Sequence, residues 1–188
     1  MPVNWKELME TMQGCERCGL CRTRTHVVPG EGNPRARLMF IGEGPGQEED
    51  RSGRPFVGRS GDLLTRNIHA IGIERTEVYI SNVVKCRPPQ NRDPQADEVA
   101  ACLPFLRDQF RLVRPQVVAL LGRVACRFIL NEEIFITRDH GRWFERKGVW
   151  FIPTFHPSAL LRDPAKKRDA WDDFQKIKAK LAELEGER

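Results

Sequence analysis

The chain has 188 residues and a formal net charge of +5, with 40% hydrophobic and 30% charged residues. This length fits one domain with a single core, and the composition excludes a disordered chain. No apolar run is long enough to cross a bilayer, and the N-terminal segment lacks the core of a signal peptide, so we expect a cytosolic protein. The basic charge is compatible with a polyanionic partner.

Strands and helices are predicted to alternate along the chain. Short runs rich in β-forming residues predict four strands, and amphipathic segments predict five helices. In chain order these are helix Trp5–Met12, strand Arg37–Gly42, helix Gly61–Ile71, strand Val78–Asn82, helix Gln95–Leu112, strand Gln116–Gly122, helix Val124–Leu130, strand Trp150–Phe155 and helix Arg168–Leu184. The alternation predicts an α/β fold, with a parallel sheet covered on both faces and a ligand site at the carboxyl ends of the strands.

Four of the six cysteines have a spacing that can close one metal site. Cys15 and Cys18 form a C-x2-C pair, and Cys86 and Cys102 lie far downstream. Four thiolates can hold zinc or an iron–sulfur cluster, and either would tie the N-terminal arm to the middle of the fold. The split spacing is not that of a zinc ribbon, which favours a [4Fe–4S] cluster. Cys21 competes with Cys18, because C-x2-C-x2-C is also a ferredoxin-like spacing.

Three predicted strands end in segments that can carry chemistry. The Gly-rich residues 42–46 follow the first strand, Asn82 ends the second, and His156 follows the fourth. Asn82 can read the edge of a pyrimidine, and a neutral His156 can donate to an oxygen that becomes negative. Phe56, in a loop between Pro and Gly, can stack on a planar ring. Each feature also has a purely structural alternative. Residues 42–46 can be a tight turn, Asn82 a cap or turn residue, His156 a structural histidine and Phe56 a loop anchor packed into the core.

Taken in order, the motifs resemble the family 4 uracil-DNA glycosylases, the iron–sulfur branch of the uracil-DNA glycosylase superfamily. The resemblance covers nearly the whole chain and includes the C-x2-C pair. The matching segments are GEGPGQEED at 42–50, GRPFVGRSG at 53–61, ISNVV at 80–84, KCRPPQNR at 85–92 and HPSALLR at 156–162.

The resemblance implies a three-layer α/β/α sandwich around a four-stranded parallel sheet, formed by one domain over residues 1–188. The N-terminal arm, residues 1–30, would be tied in by a [4Fe–4S] cluster on the four cysteines Cys15, Cys18, Cys86 and Cys102. The implied reaction is hydrolysis of the N-glycosidic bond of deoxyuridine in DNA after the base flips out, leaving an abasic site. The expected partner is single- or double-stranded uracil-containing DNA, bound by a monomer in a prokaryotic cytoplasm at the nucleoid, without a membrane.

The resemblance also assigns roles to individual residues. Phe56 would stack on the uracil, Asn82 would read its edge, and His156 would stabilise the charge that develops on O2. The best-known branch has a water-activating Asp where this chain has Gly44, so Glu43 is the candidate general base. The remaining candidates are Gly42, Gly44 and Glu49 for the substrate, with Glu49 as a steric guard against the thymine methyl, and Arg59, Arg92, Ser158 and Arg162 for DNA.

Three further expectations concern a helix cap, the reaction product and an alternative function. Ser158 is a candidate cap for a helix that follows His156. The segment Gln90–Arg92 contains no histidine where a second branch of the superfamily has one that links covalently to DNA, so no covalent product is expected. The alternative function is a non-enzymatic iron–sulfur protein that binds nucleic acid on the same scaffold.

Overall fold

The computed structural model describes residues 4–131 and 133–186. The first three residues of the predicted N-terminal arm therefore lie outside the described part. In chain order the described helices and strands are α1 (Trp5–Gln13), β1 (Glu31–Gly32), β2 (Leu38–Gly42), α2 (Gln47–Ser52), α3 (Gly58–Ala70), β3 (Tyr79–Asn82), α4 (Ala96–Val113), β4 (Val117–Leu121), α5 (Arg123–Leu130), α6 (Ile136–Asp139), β5 (Phe144–Arg146), β6 (Val149–Thr154), α7 (Pro157–Arg162) and α8 (Lys167–Gly186). All nine predicted elements are present, and five short ones (β1, α2, α6, β5 and α7) are added among the described residues.

One mixed sheet of six strands, in the order β1-β3-β2-β4-β6-β5, forms the middle of the molecule. The four inner strands are parallel, and they are the four that the sequence predicts. The prediction of a four-stranded sheet was nevertheless wrong, because β1 and β5 add an antiparallel strand at each edge. These edge strands have two and three residues, too few to show the alternation by which a strand is recognised in a sequence.

Helices cover both faces of the sheet because alternate side chains of each strand point in opposite directions. On β2, Met39 and Ile41 pack with residues of α1, α4 and α5. Leu38 and Phe40 pack with residues of α3 and α8 on the other face. All five residues of β2 are buried, as expected for a parallel strand covered on both sides. No helix in the described residues has the length and apolarity needed to span a bilayer.

The carboxyl ends of the four parallel strands meet at one edge of the sheet. Gly42 at the end of β2 pairs with Asn82 at the end of β3. Leu121 at the end of β4 pairs with Thr154 at the end of β6. The loops that follow these strands emerge side by side, which brings together segments that are more than 100 residues apart in the sequence. The short helices α2 and α7 lie in two of these loops and were not predicted, because six residues are too few to show a helical period.

Candidate active site and cysteine site

An open cleft lies over the carboxyl edge of the sheet. Its lining includes residues that were singled out in the sequence, among them Glu43, Glu49, Phe56, Asn82, His156 and Arg162. They come from four separate segments of the chain, so the convergence is a property of the fold.

Gly42 allows the centre of this cleft to form. A β-carbon at this position would lie 2.5 Å from Asn82 Oδ1 and 2.5 Å from Phe56 Cζ, closer than side-chain carbons approach other atoms. The aromatic rings of Phe56 and His156 lie 5.5 Å apart at an interplanar angle of 36°. The structure therefore brings Phe56, Asn82 and His156 together, and only a glycine at position 42 leaves room for them.

The side-chain oxygen of Asn82 has no protein partner. Asn82 is 1% exposed, and its Oδ1 is the one buried side-chain polar atom without a hydrogen bond in residues 4–131 and 133–186. Leaving such an acceptor unsatisfied costs about 1–3 kcal/mol. Its position beside the Phe56 ring fits a planar ligand that presents an N–H group at its edge.

A distant arginine holds Phe56 in an unusual backbone conformation. Phe56 has a φ of 48°, in the left-handed region that non-glycine residues rarely adopt. Its carbonyl oxygen accepts from Arg75 Nη1 at 3.0 Å, and the Pro55 oxygen accepts from Arg75 Nη2 at 2.6 Å. Glu31 pairs with the same guanidinium at 2.9 Å. Sequence reasoning missed Arg75 and Glu31, because neither lies in a motif.

His156 is a neutral donor in this cleft. Burial, with the charge of Arg162 as a second cause, lowers the pKa of His156 to about 4. Its Nδ1 accepts from the Ser158 backbone N–H at 3.1 Å, so the proton of the neutral ring is on Nε2. His156 is thus the N-cap of α7, and the expectation that Ser158 caps this helix was wrong. The Ser158 hydroxyl instead lies 2.7 Å from Nδ1 of the same ring.

Glu43 is poised to exchange a proton near neutral pH. Burial and the neighbouring Asp93 carboxylate raise the pKa of Glu43 to about 7, and the charge of Arg123 opposes this rise. Asp93 Oδ2 in turn accepts from Arg123 Nη2 at 2.7 Å. Sequence reasoning missed Asp93 and Arg123, which approach Glu43 from two other segments of the chain.

Glu49 uses both carboxylate oxygens within the protein. One oxygen accepts from the Gly46 N–H at 3.1 Å, and the other accepts from the Val57 N–H at 3.0 Å. This carboxylate therefore joins the Gly-rich loop to the loop that carries Phe56. Gly44, in the same loop, lies so near Val84 that a β-carbon would approach its side chain to 2.7 Å.

The four residues predicted to contact DNA lie in different surroundings. Arg162 and Ser158 line the cleft. Arg92 also lines it, but its guanidinium pairs with Glu98 at 2.7 Å, which offsets its charge. Arg59 is exposed on α3 and does not line the cleft. The structure thus places Arg162 nearer to the site than Arg59.

The four predicted cluster ligands converge at a second site, beside α4 and the segment that follows β3. Cys15, Cys18, Cys86 and Cys102 line one cavity, together with Cys21. All of them are free thiols, and Cys86 and Cys102 are buried. The N-terminal arm is therefore brought against the segment after β3 and against α4, as the cysteine spacing suggested.

The surroundings of these cysteines fit an iron–sulfur cluster. Burial raises the pKa of the Cys86 thiol to about 11, so bound cations are needed to keep such sulfurs ionised. Arg24 donates to Cys86 Sγ at 3.5 Å, and the Lys85 N–H donates to Cys102 Sγ at 3.2 Å, contacts of the kind that stabilise cluster ligands.

The sulfurs surround a cavity, an arrangement suited to a cluster that takes one thiolate on each iron. Within the described ranges, no three metal-binding side chains are arranged to hold a metal ion. Burial raises the pKa of the Cys102 thiol, and Cys18 and Cys15 add to this rise, whereas Cys21 adds only to the raised pKa of Cys18. Cys21 therefore lies at the edge of the group.

Comparison with known proteins agrees with this fold. Residues 29–175 match the model of the uracil DNA glycosylase superfamily. A type-4 uracil-DNA glycosylase of Thermotoga maritima is 47% identical, over 93% of this chain and 95% of its own length. One from Sulfurisphaera tokodaii is 44% identical, over 92% of this chain and 83% of its own. A DNA polymerase of Bacillus phage SP01 is 30% identical over 83% of this chain, which spans only 17% of that polymerase.

The mixed sheet with its helices, and the match over residues 29–175, define a protein of the uracil-DNA glycosylase superfamily. Within that superfamily, the near full-length matches show that the chain belongs to the type-4 uracil-DNA glycosylases.

Substitution of Gly42 by alanine tests the geometry of the cleft. The new methyl group would displace Phe56 or Asn82, and overpacking of this kind costs about 1–3 kcal/mol. We expect Gly42→Ala to weaken binding of free uracil about tenfold or more, measured by calorimetry. Gly14→Ala is the control, because a β-carbon there meets only an ordinary contact at 3.8 Å. Equal affinities in the two variants would contradict the arrangement.

The cysteine assignment is tested by comparing two serine variants. Cys18→Ser should lose the bound iron, whereas Cys21→Ser should keep it, because Cys21 lies at the edge of the group. Iron content per chain and the visible absorbance of the purified protein measure this. If Cys21→Ser loses iron and Cys18→Ser retains it, the ligand set is Cys15, Cys21, Cys86 and Cys102 instead.

Proposed function

We propose that this chain removes uracil from DNA by hydrolysis of the N-glycosidic bond and leaves an abasic site, without cutting the strand. Its membership of the type-4 uracil-DNA glycosylases supports this reaction. The observation that carries the proposal is the unpaired Asn82 oxygen, buried beside the Phe56 ring and close to a neutral His156.

Base recognition depends on the Asn82 carboxamide. The N3–H of a flipped uracil donates to Asn82 Oδ1, and uracil O4 accepts from the Asn82 amide. Cytosine offers an acceptor at N3 and an amino group at position 4, so both groups of Asn82 would face the wrong partner. A buried polar site that is left unpaired rejects the wrong ligand strongly. Phe56 adds stacking, worth about 1–3 kcal/mol per base.

Thymine is excluded by the part of the cleft that Glu49 holds in place. Thymine differs from uracil by one methyl group, which must meet a rigid surface to be rejected. Glu49 joins the Gly46 and Val57 backbones and so holds the Gly-rich loop against the loop of Phe56. Through this bridge Glu49 acts as the guard against the methyl group.

The bond breaks with its electron pair on the departing base. Negative charge develops on uracil O2, and His156 Nε2–H donates to it, with the backbone N–H groups of Glu43 and Gly44 aimed at the same atom. A neutral donor is suited to this task. Because the pKa of His156 is about 4, the ring keeps the same protonation state near neutral pH. Preorganised donors of this kind contribute about 2.7–4 kcal/mol each.

Water completes the reaction at the sugar. As the C1′–N1 bond breaks, the sugar gains oxocarbenium character, and a water oxygen bonds to C1′. The proton lost by this water passes to the Glu43 carboxylate, and the uracil anion takes up a proton after release. With a pKa of about 7, Glu43 is ionised in half or more of the molecules at neutral pH and above.

The remaining residues hold the substrate and the fold. Arg162, Arg59, Arg92 and Ser158 contact the phosphates around the flipped base. Cys15, Cys18, Cys86 and Cys102 would hold a [4Fe–4S] cluster, which supplies a structural link when bound. We propose that the protein acts as a monomer on single- or double-stranded DNA at the nucleoid of a prokaryotic cytoplasm.

The reaction is tested with a uracil-containing oligonucleotide. After incubation and alkaline treatment, we expect strand cleavage at the uracil, with no cleavage of oligonucleotides that carry thymine or cytosine there. His156→Ala should lower the single-turnover rate about 10²–10³-fold, as found when one oxyanion donor is removed. Binding of the uracil strand without release of free uracil would instead support a non-enzymatic nucleic-acid-binding protein.

The pH dependence of the rate tests Glu43. The proposed base must be deprotonated, so the single-turnover rate should rise through about pH 7 and then level off. His156 stays neutral above its pKa of about 4 and adds no further step. Glu43→Gln should abolish the rise and lower the rate about 10²–10⁴-fold, with DNA affinity unchanged.

Asp93→Asn provides the matched comparison for this profile. It removes the neighbouring negative charge that raises the Glu43 pKa, so the rise should move to lower pH while the maximal rate persists. An equal loss of rate and DNA affinity in Glu43→Gln would remove Glu43 from the chemistry.

A further inference from the structure

A lysine is fully enclosed between the base-reading residue and the cysteine site. Lys85 is 1% exposed and lies three residues after Asn82 and directly before Cys86. Its Nζ donates to Ser81 Oγ at 2.6 Å, to the Asn82 carbonyl oxygen at 2.7 Å and to Gln109 Oε1 at 2.7 Å. These three acceptors match the three N–H groups of an ammonium, so the buried charge is fully hydrogen-bonded.

The acceptors are themselves held by a second layer of contacts. Gln109 Nε2 donates to the Pro29 carbonyl oxygen at 2.6 Å and to the Tyr79 hydroxyl at 3.1 Å. Ser81 Oγ lies 3.2 Å from the same Pro29 oxygen. The network therefore links β3, α4 and the segment before β1. Gln109 and Ser81 are both 0% exposed, so no water competes for these bonds.

The main chain of the same lysine contacts the cysteine site. Its N–H donates to Cys102 Sγ at 3.2 Å, and its carbonyl oxygen accepts from the Val28 N–H at 2.7 Å. The side chain of Lys85 thus contacts the end of β3, while its backbone N–H contacts the cysteine site. The two contacts can be separated experimentally, because a side-chain substitution leaves the backbone donor in place.

We propose that Lys85 is a positioning residue for uracil recognition, and that its ammonium fixes the Asn82 main chain so that the unpaired Asn82 oxygen faces the base. This inference rests on the proposed function. Asn82 is the last residue of β3, where the ladder to β2 ends. The Val83 N–H still donates to the Gly42 carbonyl oxygen at 2.9 Å, so β2 holds one side of the Asn82–Val83 peptide, and the Lys85 ammonium holds the other side at the Asn82 carbonyl oxygen.

Stability alone does not explain this lysine. An apolar side chain of similar volume often replaces a buried ion without loss of stability. An ammonium that bonds three oxygens at once defines their relative positions, which an apolar side chain cannot do. The residue that this network positions is Asn82. Its carboxamide has to be placed to within a few tenths of an ångström to hydrogen-bond the edge of the base.

Lys85→Met tests the proposal, with two matched controls. Lys178→Met makes the same charge change at an exposed position of α8, and Ile177→Val makes a small cavity in the core beneath that helix. Three quantities are measured on each protein as purified: iron content, affinity for free uracil by calorimetry, and the NMR signals of the Asn82 side-chain amide.

We expect Lys85→Met to keep its iron, to bind free uracil about tenfold or more weakly, and to shift the Asn82 amide signals. In turnover, KM for the uracil strand should rise, and thymine and cytosine should be rejected less sharply. Both controls should match the wild type in uracil affinity, whatever their melting temperatures. Wild-type uracil affinity and unshifted Asn82 signals in Lys85→Met would overturn the proposal. Loss of iron in that variant would overturn it as well, because the side chain would then serve the cysteines.

Gln109→Met supplies an independent variant remote from the cysteines. If Lys85 and Gln109 act as one unit, the double variant should lose no more uracil affinity than Lys85→Met alone. Additive losses would count against a shared network. A wild-type protein that releases no uracil would refute the proposed function, whereas the Asn82 amide signals test the positioning role without any turnover.

Discussion

The pairing of Gly42 with Asn82, at the end of two parallel strands, is the constraint on which the rest of the site depends. It places the carboxamide against a backbone that has no side chain, and the Phe56 ring fills the space that a β-carbon would take. Strand pairing fixes the register, and register fixes which residue of β3 faces the cleft. A shift of one residue would turn Asn82 into the core and bring a valine to the site.

Desolvation shapes the electrostatics of the cleft, and it acts in opposite directions on two of its titratable groups, Glu43 and His156. Burial disfavours the charged form of each, so it raises the pKa of Glu43 to about 7 and lowers that of His156 to about 4. The outcome is a carboxyl group that exchanges protons near neutrality and an imidazole that remains a neutral donor. An anionic leaving group needs both properties, and burial is the largest cause of each.

Much of the fold was predictable, because its signals are local. The four inner strands are short, apolar and β-branched, and each was placed within one residue of its observed ends. The cleft residues Asn82 and His156 were found because each ends or follows such a strand. The edge strands β1 and β5 were missed, since they are polar, have two or three residues and owe their conformation to a neighbour. The cap of α7 was also misassigned, because the choice between His156 and Ser158 depends on which side chain folds back.

The sequence by itself determined the four inner strands and the five longer helices, the order of the motifs and the identity of the groups that can do chemistry, because these depend on residue type and spacing. Only the tertiary structure revealed the partners that tune those groups: Asp93 beside Glu43, Arg75 behind Phe56 and Lys85 beneath Asn82. Arg75 and the second layer around Lys85 lie far along the chain from what they support, and Lys85, three residues from Asn82, reaches the Asn82 carbonyl oxygen because the chain bends after β3. Contacts of this kind depend on packing and strand register, and a local pattern of residues predicts neither.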